Sequence, residues 1–377
     1  MKLLRQGICL SNIAAFFLFS LLLHACGGSS GSVQTTSSAV SISSSPSISS
    51  VSSSSSSIDP TSLDINVAPI ARNFYGAMHE PEQGILHGAG QDIDGFKDYA
   101  AAVGPGNHPI LYMTYVGLAY SPSDVEWWGQ ELIHELSSLP ADVIPQIGVN
   151  FTLDRDNGSG QAAALVRGDY DAQIAALVKA IKKLNRKNFV RIGYEFEGSW
   201  NGYEAKNYVL AYQKITKALR DGDTNSATVW CSAGGFARVW PWSMLAAYYP
   251  GDEEEDWFGI DNSDSQEIVD PRLVAFLQKA DEHKKPVMIG ETSAILVGTF
   301  QGQDQWDSWF RPFYRLLYQN PQIKAFCYIS WDWAYWAIRQ NFNLGYWGDA
   351  RIEKNAYVNV GARQELKKSI FVHSSGK

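Results

Sequence analysis

The chain is poor in cysteine and short of basic charge. Its 377 residues hold 4 Cys, too few and too far apart for a disulfide framework. Cys9 and Cys26 fall in the first 27 residues, whereas Cys231 and Cys327 lie inside apolar runs and read as buried free thiols. Lys and Arg total 31 against 39 Asp and Glu, a formal charge of −8. Setting aside Lys2 and Arg5 leaves 29 against 39, near −10, which excludes the basic stripe of a nucleic-acid binder. There is no GxGxxG and no GxxxxGK[ST], so no phosphate-cradling turn is encoded. Neither HExxH nor a CxxC pair is present, and no GxSxG elbow lies within residues 58–377 to mark a serine hydrolase. The segment Asp154-Arg155-Asp156-Asn157-Gly158 is one residue short of a calcium loop. Neither a metal nor any other cofactor is therefore expected. The one long apolar run, Ile13 to Leu23, is too short to span a bilayer comfortably.

That run follows Lys2 and Arg5 and precedes Leu23-His24-Ala25-Cys26-Gly27, an order that reads as a secretion signal. The Leu, small residue and Cys resemble a bacterial lipobox. By that resemblance residues 1–26 form a lipoprotein signal ending in a lipidated Cys26, and an outer-membrane or cell-surface location is expected, with the periplasm or medium as the alternative. Residues 29–57 contain 18 Ser and no charged side chain. Such a stretch cannot bury enough apolar area to offset its conformational entropy, so 27–57 is expected to be a flexible, disordered linker. Membrane contact would then run through the lipid alone.

From residue 58 to 377 the sequence alternates short apolar runs with amphipathic ones. Strands are predicted over Phe74–Met78, Pro109–Val116, Val143–Asn150, Phe189–Glu195, Thr228–Ala233, Trp257–Asp261, Val287–Glu291 and Ala325–Trp331. Most are continuously apolar, as parallel strands covered on both faces must be. Helices are predicted over Asp124–Ser138, Asp171–Asn185, Glu204–Arg220, Pro271–Lys284 and Gln305–Gln319, where apolar residues recur at helical spacing. Eight such βα units predict an α/β fold, a single (β/α)8 TIM barrel over 58–377. An open doubly wound sheet is the alternative, but it would carry the glycine-rich turn that is missing. A monomer is expected.

A barrel places its chemistry at the C-terminal ends of its strands. Glu195 ends the fourth predicted strand and Glu291 the seventh. Strand alternation sets Arg191, Gly193 and Glu195 on the inward face, with Tyr194 outward. Two carboxylates at one barrel mouth match the need of a retaining glycosidase for a nucleophile and an acid/base about 5–5.5 Å apart. The negative charge of one raises the pKa of the other and so separates their roles. Glu197 lies two residues past Glu195 and competes with it for the acid role. Thirteen Trp and 18 Tyr supply flat surfaces for sugar rings. At predicted strand ends the candidates for holding sugar are His79, Asn150, Trp230, Asp261, Asn262, Trp331 and Trp333.

The segment Arg191-Ile-Gly-Tyr194-Glu195-Phe-Glu-Gly198-Ser-Trp200 resembles the signature of glycoside hydrolase family 26 in clan A. That signature has Arg four residues before the acid/base Glu, Gly three after it and Trp five after it. Gly259-Ile-Asp261 and Trp331-Asp332-Trp333 resemble further family segments. The resemblance implies Glu195 as acid/base, Glu291 as nucleophile, and Arg191, Tyr194 and Trp200 among the substrate-binding residues. It implies a retaining endo-β-glycanase whose partner is a neutral polysaccharide or oligosaccharide: β-1,3-xylan, β-mannan or β-glucan. Tyr194 stands where the family usually has His, and Asn201-Gly202-Tyr203 replaces the run of aromatics found in many of its mannanases, departures that count against β-mannan and leave room for β-1,3-xylan, β-glucan or a neighbouring clan A family. A surface glycan-binding lipoprotein on a non-catalytic barrel is the rival reading, and the two glutamates argue against it.

Overall fold

The computed structural model describes residues 58–153, 158–234, 239–263, 268–298, 302–340 and 345–376. Cys26, the serine tract and most of the acidic segment at 154–158 lie outside the described residues.

Eight parallel strands close into a barrel: β1 Ile85–Gly90, β2 Leu111–Gly117, β3 Ile144–Asn150, β4 Asn188–Ile192, β5 Ser226–Ser232, β6 Trp257–Ile260, β7 Val287–Thr292 and β8 Ile323–Ile329. Each pairs with its sequence neighbour. Closure comes from β1, which pairs with β8 (Leu86 opposite Ala325) and with β2 (Gly88 opposite Leu111). A ninth short strand, β9 Phe371–Val372, pairs with the first two residues of β1, ahead of its pairing with β2. The fold is thus the expected (β/α)8 barrel.

Helices fill the connections. Among them are α1 Ile93–Val103, α2 Pro122–Ser137, α3 Ala162–Arg167, α4 Asp171–Leu184, α5 Ala205–Asp221, α6 Trp242–Leu245, α7 Pro271–Glu282, α8 Arg311–Gln319, α9 Trp333–Gln340 and α10 Ala356–Leu366. Their starts are written in the sequence. Ser121 and Asp124 form a reciprocal capping box at α2, and the Glu204 carboxylate accepts the backbone N–H groups of Lys206 and Asn207 at α5. Asp270 caps α7 ahead of Pro271, whose missing N–H costs nothing in the first turn. α4 buries Ile174, Leu177, Ile181 and Leu184 against the sheet, as its spacing predicts.

The first strand is not where the sequence suggests. Phe74–Met78 is irregular chain with Phe74 and Met78 exposed, and β1 lies eleven residues further on. The true strand reads Ile-Leu-His-Gly-Ala-Gly, a weak strand pattern with a physical cause. A Cβ on Gly88 would sit 2.4 Å from Cys327 Sγ and 2.7 Å from Leu111 Cβ, so the crowded interior admits only glycine there. Cys231 and Cys327 are buried free thiols, as expected.

Candidate active site

Arg191 on β4 organises the barrel mouth. It is fully buried and points inward. Its Nη1 donates to both carboxylate oxygens of Asp261, at 2.7 and 2.8 Å, and its Nη2 donates to Glu291 Oε1. Burial alone would push the guanidinium down, but the charges of Asp261 and Glu291 outweigh it and hold Arg191 protonated. Asp261 follows the end of β6 and Glu291 is the penultimate residue of β7, so one cation on β4 ties together three strands. Gly290 makes room for it: a Cβ there would lie 2.6 Å from Arg191 Nη1 and 2.7 Å from Asp261 Oδ1.

Glu195 reaches this centre by a route that alternation does not describe. β4 ends at Ile192, and both Gly193 (φ 55°) and Glu195 (φ 54°) take left-handed conformations. The turn nonetheless stays bonded to both neighbouring strands, through Gly193 N–H to Val149 O (2.7 Å) and Glu195 N–H to Cys231 O (2.8 Å). Asn201 Nδ2 donates to the carbonyls of Tyr194 (3.0 Å) and Glu195 (2.8 Å), and Trp200 Nε1 donates to Glu195 Oε2 (2.8 Å). Burial, reinforced by the charges of Asp261 and Glu291, pushes the Glu195 carboxyl well above the usual range. The arrangement therefore holds one carboxyl that favours its acid form beside another bonded to a permanent cation.

The same turn corrects the placement of Tyr194. Its ring faces inward, not toward the helices, with the Arg191 guanidinium 4.6 Å from its centroid and the Tyr115 ring 5.5 Å away. Asn150, the last residue of β3, is buried and hydrogen-bonds the Tyr194 side chain. Trp331 and Trp333 meet edge to face, 5.4 Å apart, in the same apolar cluster as Tyr115 and Tyr194. Trp331 Nε1 donates to Asp92 (2.7 Å) and Trp333 Nε1 to Ser293 Oγ (3.2 Å), so both rings are held at the mouth.

Two sequence candidates lie elsewhere. His79 sits at the opposite end of the barrel, where its Nε2 bonds the carbonyl of Asn225, just before β5, at 2.8 Å and its ring meets Phe189 near the start of β4. The misplaced first strand carried it to the wrong end. Trp230 faces outward from β5, fully buried, stacked on Phe196 at 4.7 Å and bonded to the carbonyl of Tyr248. It is packing between sheet and helices, and no sugar reaches it. Glu197 is also engaged elsewhere: its carboxylate accepts from Ser232 Oγ and from Ala233 N–H (3.0 and 3.1 Å).

Sequence reasoning missed Tyr115, whose phenol is pushed up by burial and then by the charge of Glu291. It also missed Gln146, which donates to the carbonyl of Gly290 at 3.1 Å inside the barrel. A glutamine in the otherwise apolar run of β3 was the available signal for the second. Among the described residues no group of three or more His, Cys, Asp or Glu is placed to hold a metal ion.

No family model matches the chain. A β-1,3-xylanase named TXYA, from a Vibrio species, is 28% identical over 319 residues, covering 78% of this chain and 67% of that protein. A β-1,3-xylanase from an Alcaligenes species is 27% identical over 322 residues, covering 78% and 66%. The chain thus spans about two thirds of the length of these curated relatives. The catalytic domain of a family 26 endo-β-1,4-mannanase from Bacillus sp. JAMB-750 superposes with a TM-score of 0.52 at 15% identity, over 79% of this chain and 86% of that one, a likeness of fold. In sequence along the barrel and in architecture, the chain resembles the family 26 glycoside hydrolases of clan A, and it is a glycosidase by that resemblance.

Proposed function

We propose that the chain is a retaining endo-β-glycanase acting on a neutral β-linked polysaccharide, with β-1,3-xylan the first substrate to test and β-mannan and β-glucan the next. The observation that carries this reading is the unequal treatment of two carboxyls at one mouth. Glu291 is bonded to the Arg191 guanidinium, while Glu195 is buried, accepts among the described side chains from Trp200 alone, and is held toward its protonated form. In this mechanism Glu195 donates its proton to the departing glycosidic oxygen as Glu291 attacks the anomeric carbon. Glu195, now a carboxylate, takes a proton from water, which attacks the glycosyl-enzyme and releases Glu291. Net retention follows from two inversions. Asp261 keeps Arg191 turned toward the nucleophile. Trp331, Trp333, Asn150 and Tyr194 line the space for the sugar that is cleaved.

The test is Glu195→Gln and Glu291→Gln on a panel of β-1,3-xylan, β-1,4-xylan, β-mannan, laminarin and mixed-linkage glucan. Both should abolish turnover with the fold intact; full activity in either removes the assignment. Azide added to Glu291→Ala with an activated aryl glycoside should yield the inverted glycosyl azide, and with Glu195→Ala the retained one, both read by proton NMR. Further parts of the proposal concern the chain as a whole: Cys26 carries lipid, 27–57 is the tether, and the barrel works as a monomer at the outer membrane or cell surface. Cys26→Ala should move the protein from the membrane fraction to the soluble one.

A further inference from the structure

We infer that Glu197 is a positioning residue for the acid/base: it clamps the turn after β4 to the end of β5 and so fixes the left-handed conformation of Glu195. This rests on the reading of Glu195 given above. Three consecutive side chains of the turn point three ways. Glu195 enters the mouth, Phe196 goes outward to stack on Trp230 at 4.7 Å, and Glu197 crosses to β5. The crossing completes a stitch at three successive residues: Cys231 O accepts from Glu195 N–H, while Ser232 Oγ and Ala233 N–H donate to Glu197. Ser232 Oγ is itself fixed by Gly234 N–H at 3.1 Å. A non-glycine residue at φ 54° crowds its Cβ against the following carbonyl oxygen, so without holds from outside the turn would relax and carry the Glu195 carboxyl away from Glu291 and Trp200. A buried carboxyl is a costly way to make such a hold. Its side-chain bonds to β5 and the residue after it, Ser232 and Ala233, engage both carboxyl oxygens and turn them away from the mouth.

The test uses the full-length enzyme and three variants, Glu197→Ala, Glu197→Gln and Ser232→Ala. Uniformly 13C-glutamate-labelled protein gives the Glu195 carboxyl titration directly, assigned by its loss in Glu195→Gln, and needs no turnover. In Glu197→Ala the Glu195 midpoint should fall by about one pH unit or more as the turn opens to water. In Glu197→Gln, whose amide oxygen still accepts the Ser232 and Ala233 donors, it should stay near wild type. Ser232→Ala, the mildest change, should fall between. On any glycan that the wild type cleaves, kcat should drop by about 100-fold in Glu197→Ala with KM little changed, and recover in Glu197→Gln. An unmoved Glu195 midpoint in folded Glu197→Ala and Ser232→Ala overturns the inference. So does a loss in Glu197→Gln as deep as that in Glu195→Gln, which would make Glu197 itself the acid. If the wild type cleaves nothing, the glycanase reading fails while the titration still decides the clamp.

Discussion

At the scale of single residues, the site turns on how each carboxyl is solvated and paired. The Trp200 N–H bond to Glu195 Oε2 favours the ionised form, the opposite of what burial does. Removing it in Trp200→Phe should raise the Glu195 pKa further. In the proposed mechanism Glu195 acts in its protonated form, so the alkaline limb of kcat/KM should move to higher pH, and a shift to lower pH would contradict this balance. Arg191 makes a sharper case. A lysine presents a point charge in place of a planar fork and cannot bridge Asp261 and Glu291 at once. Arg191→Lys should lower kcat/KM by about 100-fold or more, and, by leaving a buried carboxylate unpaired, cost about 3–5 kcal/mol of stability in urea unfolding. The positions of Arg191, Glu195, Asp261 and Glu291 were legible in the sequence because strand ends in a barrel are predictable and charged residues are rare there. The inward turn of Tyr194 and the left-handed Glu195 were not, since one glycine at φ 55° breaks the alternation on which the reading relied.

At the scale of elements, seven of the eight strands and the five marked helices appear close to their predicted bounds, because continuous apolar runs and helical spacing report burial directly. β1 did not show itself. Its interior-facing positions are dictated by room more than by hydrophobicity, so Gly88 and Gly90 dilute the pattern and the more aromatic Phe74–Met78 outcompetes it. That error moved His79 from the floor of the barrel to its mouth. Trp230 failed for a different reason: alternation tells which residues share a face, but not which face is inward. The same logic of space applies on β7. Gly290 faces the Arg191–Asp261 pair at distances no Cβ tolerates, so Gly290→Ala should displace the guanidinium. We expect a loss of about 1–3 kcal/mol, typical of overpacking, together with a loss of activity far larger than the fall in stability explains. Parallel urea titrations and kinetics at a temperature where the variant is folded would separate the two.

At the scale of the whole molecule, buried ionisable groups set how stability depends on pH. Burial pushes Glu197 up to about 7 and Glu255 up to about 8, and it raises Glu195 well above its ordinary value. Each of these keeps its proton in the folded state over a range where the unfolded chain, with glutamates near 4.3, has lost it. The folded state then binds more protons, and stability must fall as pH rises through that range. Burial lowers His79, His87 and His373, which has the opposite effect: the unfolded chain takes up protons that the folded state refuses, so stability rises with pH up to the ordinary histidine range. Below about pH 6.5 the two sets oppose one another, and above it the histidines are neutral in both states. From about 6.5 to 8 the carboxyls act alone. Unfolding temperature should therefore decline across that window, each titrating group adding at most about 1.4 kcal/mol per pH unit to the slope. Calorimetric scans of the barrel at half-unit steps would show it, and a flat or rising profile between pH 6.5 and 8 would mean that water reaches these carboxyls in solution. Burying so many acids then leaves a barrel less stable at pH 8 than at pH 6.5.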